Sequence, residues 1–465
     1  MASEATQPPT GPTTEKIDPD YPLTQVPRHA RRGIASLMVV LLGFTFFTPT
    51  MFAGAEIGAA LSFNQLLVVI IAGSALLGVY VGAIAVIGAR TGLTTVLLAR
   101  YTLGRVGAKW ADLLLGGTQV GWYAVTVGFL ALIVSAAFGW GDGAIPWIII
   151  VGSILMGLTA YYGYRGMEIL SAVSVPLMTI LCVWVLFRAL DDTGGISGLV
   201  QLEGSGAIGW GTGITIVVGT FASGGTQVAN WSRFARTTRD AWITAGAAFL
   251  LANGLMLGFG AVGGLVYDEP DFSEVLIAQG LILWGVVLLL LNYWTTNDNA
   301  AYAFGVAGAE AFNVPSKRPF IIGGVAIATV LALTGIYQQL DTYLILLGVF
   351  IPPLGGVIIG DHVFVWRKRP LPAFEEAEIP AVRWACLAAY AVGVAAAWVT
   401  NELSFGVPPL QGILVAALLV PVFESLLQAV GIDQRPRSVA AADAAGDLDA
   451  HRDDLTGDRS EEGRA

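Results

Sequence analysis

Charge is scarce in this 465-residue chain. Asp, Glu, Lys and Arg together make up 12% of it, about half the share usual in a soluble domain. Histidine and cysteine are nearly missing, with three and two copies. His29, His362 and His451 are scattered, which leaves no basis for a zinc centre. Cys182 and Cys386 each fall in an apolar stretch, the ordinary place for a small buried hydrophobe rather than a disulfide. The apolar stretches contain no HExxH string, no nucleophile–base pair and no metal-ligand cluster, which argues against an intramembrane enzyme. They also lack the repeated filter segments or rings of like charge that mark a channel. Residues 1–30 have neither an apolar core nor a small-residue cleavage site, so no signal peptide is expected.

What fills the chain instead is hydrophobic residue, 55% of the total, with 58 glycines and a mean hydropathy of +0.70. Twelve long apolar stretches lie near residues 34–61, 65–89, 110–137, 146–163, 167–190, 208–230, 241–267, 275–305, 320–337, 342–365, 382–400 and 407–430. Most reach the ~20 residues that a membrane-spanning helix needs, the fourth and ninth being shorter. The expectation is an all-α polytopic membrane protein with twelve transmembrane helices over residues 31–430. Its basic residues sort by side. With a cytoplasmic N-terminus, every Lys and Arg except Arg188 falls in an inward segment, while Asp142, Asp191, Asp192, Asp268, Glu269 and Asp271 fall in outer loops. That alternation predicts a plasma-membrane protein with both termini in the cytoplasm. Residues 1–30 and 431–465 read as disordered tails, the second acidic. The net charge of −10 comes from that tail and the outer loops. It lends no support to nucleic-acid binding, and no obligate protein partner is evident.

Three stretches depart from plain apolar helix. The first has Thr48-Pro49-Thr50 in its middle, where proline removes a helical hydrogen bond. The sixth carries Ser223-Gly224-Gly225-Thr226, a poor helix interior. Interrupted spans at matching places in two halves point to an inverted-repeat transporter holding its solute where the helices unwind. The eighth stretch crowds Asn292, Thr295, Thr296, Asn297, Asp298 and Asn299 into hydrocarbon depth. Such a cluster must face other helices or a wet cavity. Asn292, Thr295 and Thr296 share one helix face, and neutral oxygens there suit a small hard cation. On the third stretch Gln119 and Trp122 share a face and set an amide beside an aromatic plane, for which Phe221 offers a second. A flat heterocycle between two aromatics, read at its edge by amides, fits these parts.

The strings ARTGLTTVLLAR (89–100), LLLGGTQVGW (113–122), NYWTTNDNAAYA (292–303) and IPPLGGVIIGDH (351–362) resemble the nucleobase–cation symporter family, and most closely its bacterial cytosine permease branch. The likeness covers about residues 30–430. It implies a leucine-transporter-type fold, a 5+5 inverted repeat (about 31–190 and 205–365) plus two C-terminal helices (about 382–430). It also implies import of cytosine by symport with Na⁺ and no organic cofactor. By the same resemblance Trp122 and Phe221 stack on the base, Gln119 and Asn297 bind its edge, and Ser223 and Gly224 present backbone groups. Na⁺ would take the carbonyls of Phe47, Thr50 and Asn292 and the hydroxyls of Thr295 and Thr296. A different base, a related heterocycle or H⁺ coupling is the alternative.

Three positions depart from the family pattern. Asn230 stands where an Asp is common, Phe52 where a Trp is common, and Glu56 where a small neutral residue is common. Glu56 reads as a hydrated outer-surface charge or a proton-titrating group. Asp298 reads as functional or as a helix-to-helix hydrogen-bonding group. Asp112, Glu168, Glu310 and Glu424 are expected near the membrane interfaces. Pro352-Pro353-Gly355-Gly356 would let the tenth span bend as a gate.

Overall fold

Backbone withdrawn from water must satisfy its own N–H and C=O groups, and this chain does so almost wholly with helices. The computed structural model describes residues 24–438 apart from 163, 313, 315 and 368–370, with no side-chain description for 162–175 and 375. Most of both tails, the acidic run Asp443–Glu462 and the Glu168 side chain therefore lie outside the described residues. The helices in chain order are α1 (Ile34–Thr45), α2 (Pro49–Ala60), α3 (Phe63–Thr91), α4 (Thr95–Phe138), α5 (Ile145–Tyr162) and α6 (Tyr164–Asp192). Then come α7 (Ile196–Leu199), α8 (Trp210–Thr226), α9 (Ala229–Ser232), α10 (Thr238–Ala247), α11 (Asn253–Tyr267) and α12 (Phe272–Ala278). The remainder are α13 (Ile282–Ala311), α14 (Arg318–Leu333), α15 (Leu340–Gly360), α16 (Trp384–Glu402) and α17 (Pro408–Ala429).

Among the described residues, seven helices are long and apolar enough to cross a membrane, or eight if the bent pair α1–α2 is one span. α8 and α14 are shorter, at 17 and 16 residues. α13 has the length, at 30 residues, but its polar cluster lowers its hydropathy. α4 covers 44 residues, which at ~1.5 Å per residue would far exceed a hydrocarbon core. Gly104, at φ 87° and ψ 170°, turns the chain there. A Cβ at that position would also lie 2.7 Å from the Ala381 carbonyl, so glycine is required twice over. α15 runs unbroken through Pro352 and Pro353.

Small residues set how closely helices approach. In the α2–α11 pair a Cβ on Gly54 or Gly58 would sit 2.2 or 2.0 Å from the carbonyls of Leu257 or Ala261. Reciprocally, Gly260 and Gly264 press on the carbonyls of Met51 and Ala55, at 1.9 and 2.1 Å for an added Cβ. Apolar area gives little drive to association within lipid, so this four-residue spacing of glycines, which lets backbones pack directly, joins the two helices.

A buried charge cluster ties the C-terminal helices to α4. Arg383, fully buried, forks onto Asp361 at 2.7 and 2.9 Å, pairs with Glu424, and donates to the Tyr101 carbonyl at 2.8 Å. The backbone beside it joins the Gly104 turn, with Arg383 N–H on the Leu103 carbonyl at 3.0 Å. Structured contacts also continue past residues 31 and 430. Val26 N–H donates to the Gly92 carbonyl at 3.0 Å, and β2 (Arg437–Ser438) pairs antiparallel with β1 (Ala377–Glu378). Arg383→Met would leave two buried carboxylates uncompensated, and should cost about 3–5 kcal/mol. We expect a strongly lowered thermal midpoint in detergent, partly restored by adding Glu424→Gln; an unchanged midpoint would contradict this role.

Candidate functional site

The first helix break lies between α1 and α2, which meet at 56°. Phe46 leaves helical geometry at φ −75° and ψ 76°. Pro49 then opens α2, where its missing N–H loses nothing. The freed backbone is met from α13. The Asn292 amide nitrogen donates to the Phe46 carbonyl at 2.9 Å, and its oxygen accepts from the Thr48 N–H at 3.0 Å and from the Thr48 hydroxyl. The Asn292 side chain thus caps the break, a role apart from the backbone carbonyl expected to face the ion.

The second break falls at Phe221, at φ −130° and ψ 19°. That is upstream of the Ser223–Thr226 run expected to carry it, and that run stays helical to the end of α8. Its glycines serve close packing instead. A Cβ on Gly224 would lie 2.7 Å from the Phe44 ring, and one on Gly225 would lie 2.5 Å from Val81.

Between the two breaks, α4 and α13 lies a cavity of about 30 Å³. Gln119, Trp122, Phe221, Ser223 and Gly224 border it, and so do Phe47, Thr295 and Thr296. Five of the six residues singled out for the solute and three of the five singled out for the ion thus border one cavity. Gln119 Nε2 donates to Ser223 Oγ at 3.3 Å. The Thr295 hydroxyl donates to the Asn292 carbonyl at 2.8 Å, and the Thr50 N–H donates to the Phe47 carbonyl at 3.1 Å. Thr50 and Asn292 do not border the cavity, though the buried Thr50 hydroxyl has no hydrogen-bond partner among the described residues. The Phe47 ring stands edge-on to both Trp122, at 5.0 Å, and Phe221, at 5.5 Å. It fills the space between the two aromatic planes. What remains holds about two waters, less than a pyrimidine ring needs.

Asn297 is not among the bordering residues. It is fully buried on another face of α13, with Nδ2 3.4 Å from the Tyr123 carbonyl and 3.2 Å from Met156 Sδ. Its amide therefore joins α13 to α4 and α5. Asn299 borders the cavity instead, its Nδ2 bonded back to the Thr295 carbonyl at 2.9 Å. Helical spacing explains the exchange, since 295, 296, 299 and 300 share a face and 297 does not. That signal was present in the sequence.

The two ends of the site differ. Toward the arginine-rich end opens a vestibule of about 250 Å³, bordered by Arg32, Asn230, Arg233, Tyr302 and Glu310. Asn299 borders both this vestibule and the small cavity. Toward the other end, Phe129 lies two helical turns beyond Trp122 on α4 and stacks on Phe52 at 4.1 Å and 13°. Phe272 of α12 meets Phe52 edge-on at 5.8 Å. Aromatics thus pack on one side of the small cavity and a larger cavity adjoins it on the other.

The departing positions also find places. The Asn230 side-chain oxygen accepts from the Thr95 N–H at 3.0 Å at the start of α4. Glu56 is half-buried on α2. Asp298 accepts from the Thr159 hydroxyl, which in turn accepts from the Trp294 indole at 2.8 Å, so it bonds helix to helix. Asp112, Glu310 and Glu424 are not at hydrated interfaces. They are 3%, 5% and 3% exposed. Glu424 is held there by Arg383, while the other two lack such a partner.

Comparison with known proteins gives the family and the fold. The family described as permeases for cytosine/purines, uracil, thiamine and allantoin matches residues 25–423. The cytosine permease of Escherichia coli (strain K12) is 37% identical over 411 residues, covering 88% of this chain and 95% of that protein. Among solved structures, a nucleobase-cation-symport-1 family transporter in a closed conformation with bromovinylhydantoin bound aligns with a TM-score of 0.71 at 21% identity, over 87% of this chain and 95% of that one. A Na⁺-coupled sialic acid symporter in a substrate-bound outward-open state aligns at 0.54 and 12% identity, over 87% and 97%. The fold is thus one shared by secondary transporters. The chain belongs to the family of permeases for cytosine/purines, uracil, thiamine and allantoin: a multi-span membrane transporter, not an enzyme.

Proposed function

We propose that this permease imports cytosine together with Na⁺ by alternating access. One observation carries the reading. Gln119, Trp122, Phe221, Ser223 and Gly224 border the same small cavity as Phe47, Thr295 and Thr296, so the amide and aromatic groups suited to a flat base adjoin the oxygens suited to a cation. The 37% identity to a cytosine permease supports the choice of base. In this reading the ring lies between Trp122 and Phe221 once Phe47 swings aside. Gln119 and Asn299 read its edge, and Asn297 acts as a positioning residue behind them. Na⁺ takes the carbonyls of Phe47, Thr50 and Asn292 and the hydroxyls of Thr295 and Thr296. All five donors are neutral oxygens, which suits a monovalent ion better than a divalent one.

Coupling follows from Phe47. Its carbonyl faces the ion and its ring blocks the base, so an ion that rearranges the α1–α2 break also draws that ring away from the stacking planes. An ion and a solute that each bind one arrangement better than the other are coupled through that difference. The open vestibule at the arginine-rich end and the Phe52–Phe129 seal at the other correspond to an inward-facing form. We place that end in the cytoplasm of the inner membrane, with both termini, on the distribution of Lys and Arg. Twelve spans in a 5+5 inverted repeat plus two helices accommodate both breaks, with α13 counted as a span despite its polar face. Solute, ion and lipid are the partners this calls for. The second reading, a hydantoin-like ring, draws on the ligand of the aligned transporter.

Uptake of labelled cytosine into proteoliposomes should accumulate under an inward Na⁺ gradient and not under an equal K⁺ gradient at fixed pH. Accumulation under both would remove Na⁺ from the mechanism. Gln119→Ala should weaken cytosine binding by about 1–3 kcal/mol, the cost of a lost buried hydrogen bond, while leaving the protein folded. Unchanged binding would move the base elsewhere. Thr296→Ala should raise the Na⁺ concentration needed for half-maximal uptake, leaving the response to cytosine at saturating Na⁺ largely intact. A variant whose Na⁺ response matched the parent would displace the ion from this site.

A further inference from the structure

The vestibule wall carries a carboxylate, Glu310, that the transport reading does not use, and a second, Asp112, lies on the helix packed beside it. α4 and α13 run antiparallel, as two contacts show. Asn297 Nδ2 reaches the Tyr123 carbonyl, and further along an added Cβ on Gly116 would lie 3.0 Å from Ala307. One more turn in the same direction sets Asp112 of α4 alongside Glu310 of α13. Both are more than nine-tenths buried. Among the described residues, both carboxylate oxygens of Glu310 and Oδ1 of Asp112 have no hydrogen-bond partner. Glu310 nevertheless borders the vestibule, with Arg32, Arg233 and Asn299 around the same space.

An ionised carboxylate buried without a hydrogen bond is costly, and a second beside it adds repulsion. The surrounding charges do not remove the problem. Arg100 and Lys109 lie along α4, Arg233 follows α9, and Arg32 precedes α1, while Lys317 at the start of α14 sits over the Tyr302 ring at 4.1 Å. None of these donates a hydrogen bond to the free oxygens. A metal ion fits poorly, because such cationic surroundings repel it and no group of three acidic, histidine or cysteine side chains gathers among the described residues. A proton needs neither a coordination shell nor further ligands. Two carboxylates sharing a confined site hold one proton between them and titrate as a unit.

We propose that Glu310, on the wall of the arginine-rich vestibule, and Asp112, on the neighbouring helix, form a proton-binding site holding one shared proton at neutral pH. The site is separate from the cavity proposed for Na⁺ and base, and it does not depend on which solute is carried.

The test is pH-difference infrared spectroscopy on the purified full-length protein, following the carboxylic acid C=O band with no solute present. The parent protein should show a band that persists at neutral pH and disappears on alkalinisation. Glu310→Gln should delete it, because Asp112 alone then ionises. Asp112→Asn should retain the band but move its loss toward lower pH by about one unit, since the like charge is gone. Gel filtration and the thermal midpoint would verify folding, and the two isosteric substitutions act as separate reports. Overturning results are a spectrum that neither substitution changes between mildly acidic and alkaline pH, or two independent bands, each deleted by one substitution alone. The first would mean that both groups are ionised throughout, the second that each holds its own proton.

Discussion

The structure turns on how a broken helix is tolerated inside a bundle of apolar ones. Interrupting α1–α2 at Phe46–Thr48 exposes backbone groups where little water is available, and each unpaired group would cost several kcal/mol. A single side chain answers most of that demand. Asn292 donates to Phe46 and accepts twice from Thr48, so one amide caps both sides of the break. The same residue begins the polar face of α13, with the Thr295 hydroxyl on its own carbonyl. The break and the polar face are therefore one assembly, and the cavity beside it is small because Phe47 is held against Trp122 and Phe221.

Around this centre the molecule uses two devices suited to an environment without hydrophobic drive. Glycines at four-residue spacing let α2 and α11 meet backbone to backbone. At the arginine-rich end the Arg383–Asp361–Glu424 cluster fixes α15, α16 and α17 against the Gly104 turn of α4. Helices near the breaks are thus held by size, and the C-terminal pair is held by charge. The aromatic stack of Phe52 on Phe129 belongs to neither scheme. It closes one end by contact of two planes, an interaction that sliding one helix can undo.

Much of this was legible in the sequence because it follows from periodicity and composition. The apolar stretches, the proline-marked first break, and the shared faces of Gln119 with Trp122 and of Asn292 with Thr295 all rest on spacing that a helix must obey. What could not be read was three-dimensional partnership. Nothing local in SGGT says that its glycines pack on Phe44 and Val81 while the bend occurs at Phe221. Spacing alone sets Asn299 on the face of Thr295 and Thr296 and Asn297 off it, but only the neighbouring helices decide that Asn297 meets Tyr123 and Met156. The acidic residues misled for a related reason. Nearness to a helix end suggests hydration, yet Glu424 is buried where a distant arginine meets it, and Asp112 and Glu310 are buried without such a partner.

The central claim is that ion and base act on one residue, Phe47, through its carbonyl and its ring. The most direct measurement is the dissociation constant for cytosine over a series of Na⁺ concentrations at constant ionic strength, read from tryptophan fluorescence or calorimetry. The account predicts that cytosine binds more tightly as Na⁺ rises, and that saturating cytosine tightens Na⁺ binding by the same factor. A cytosine affinity independent of Na⁺ would contradict it.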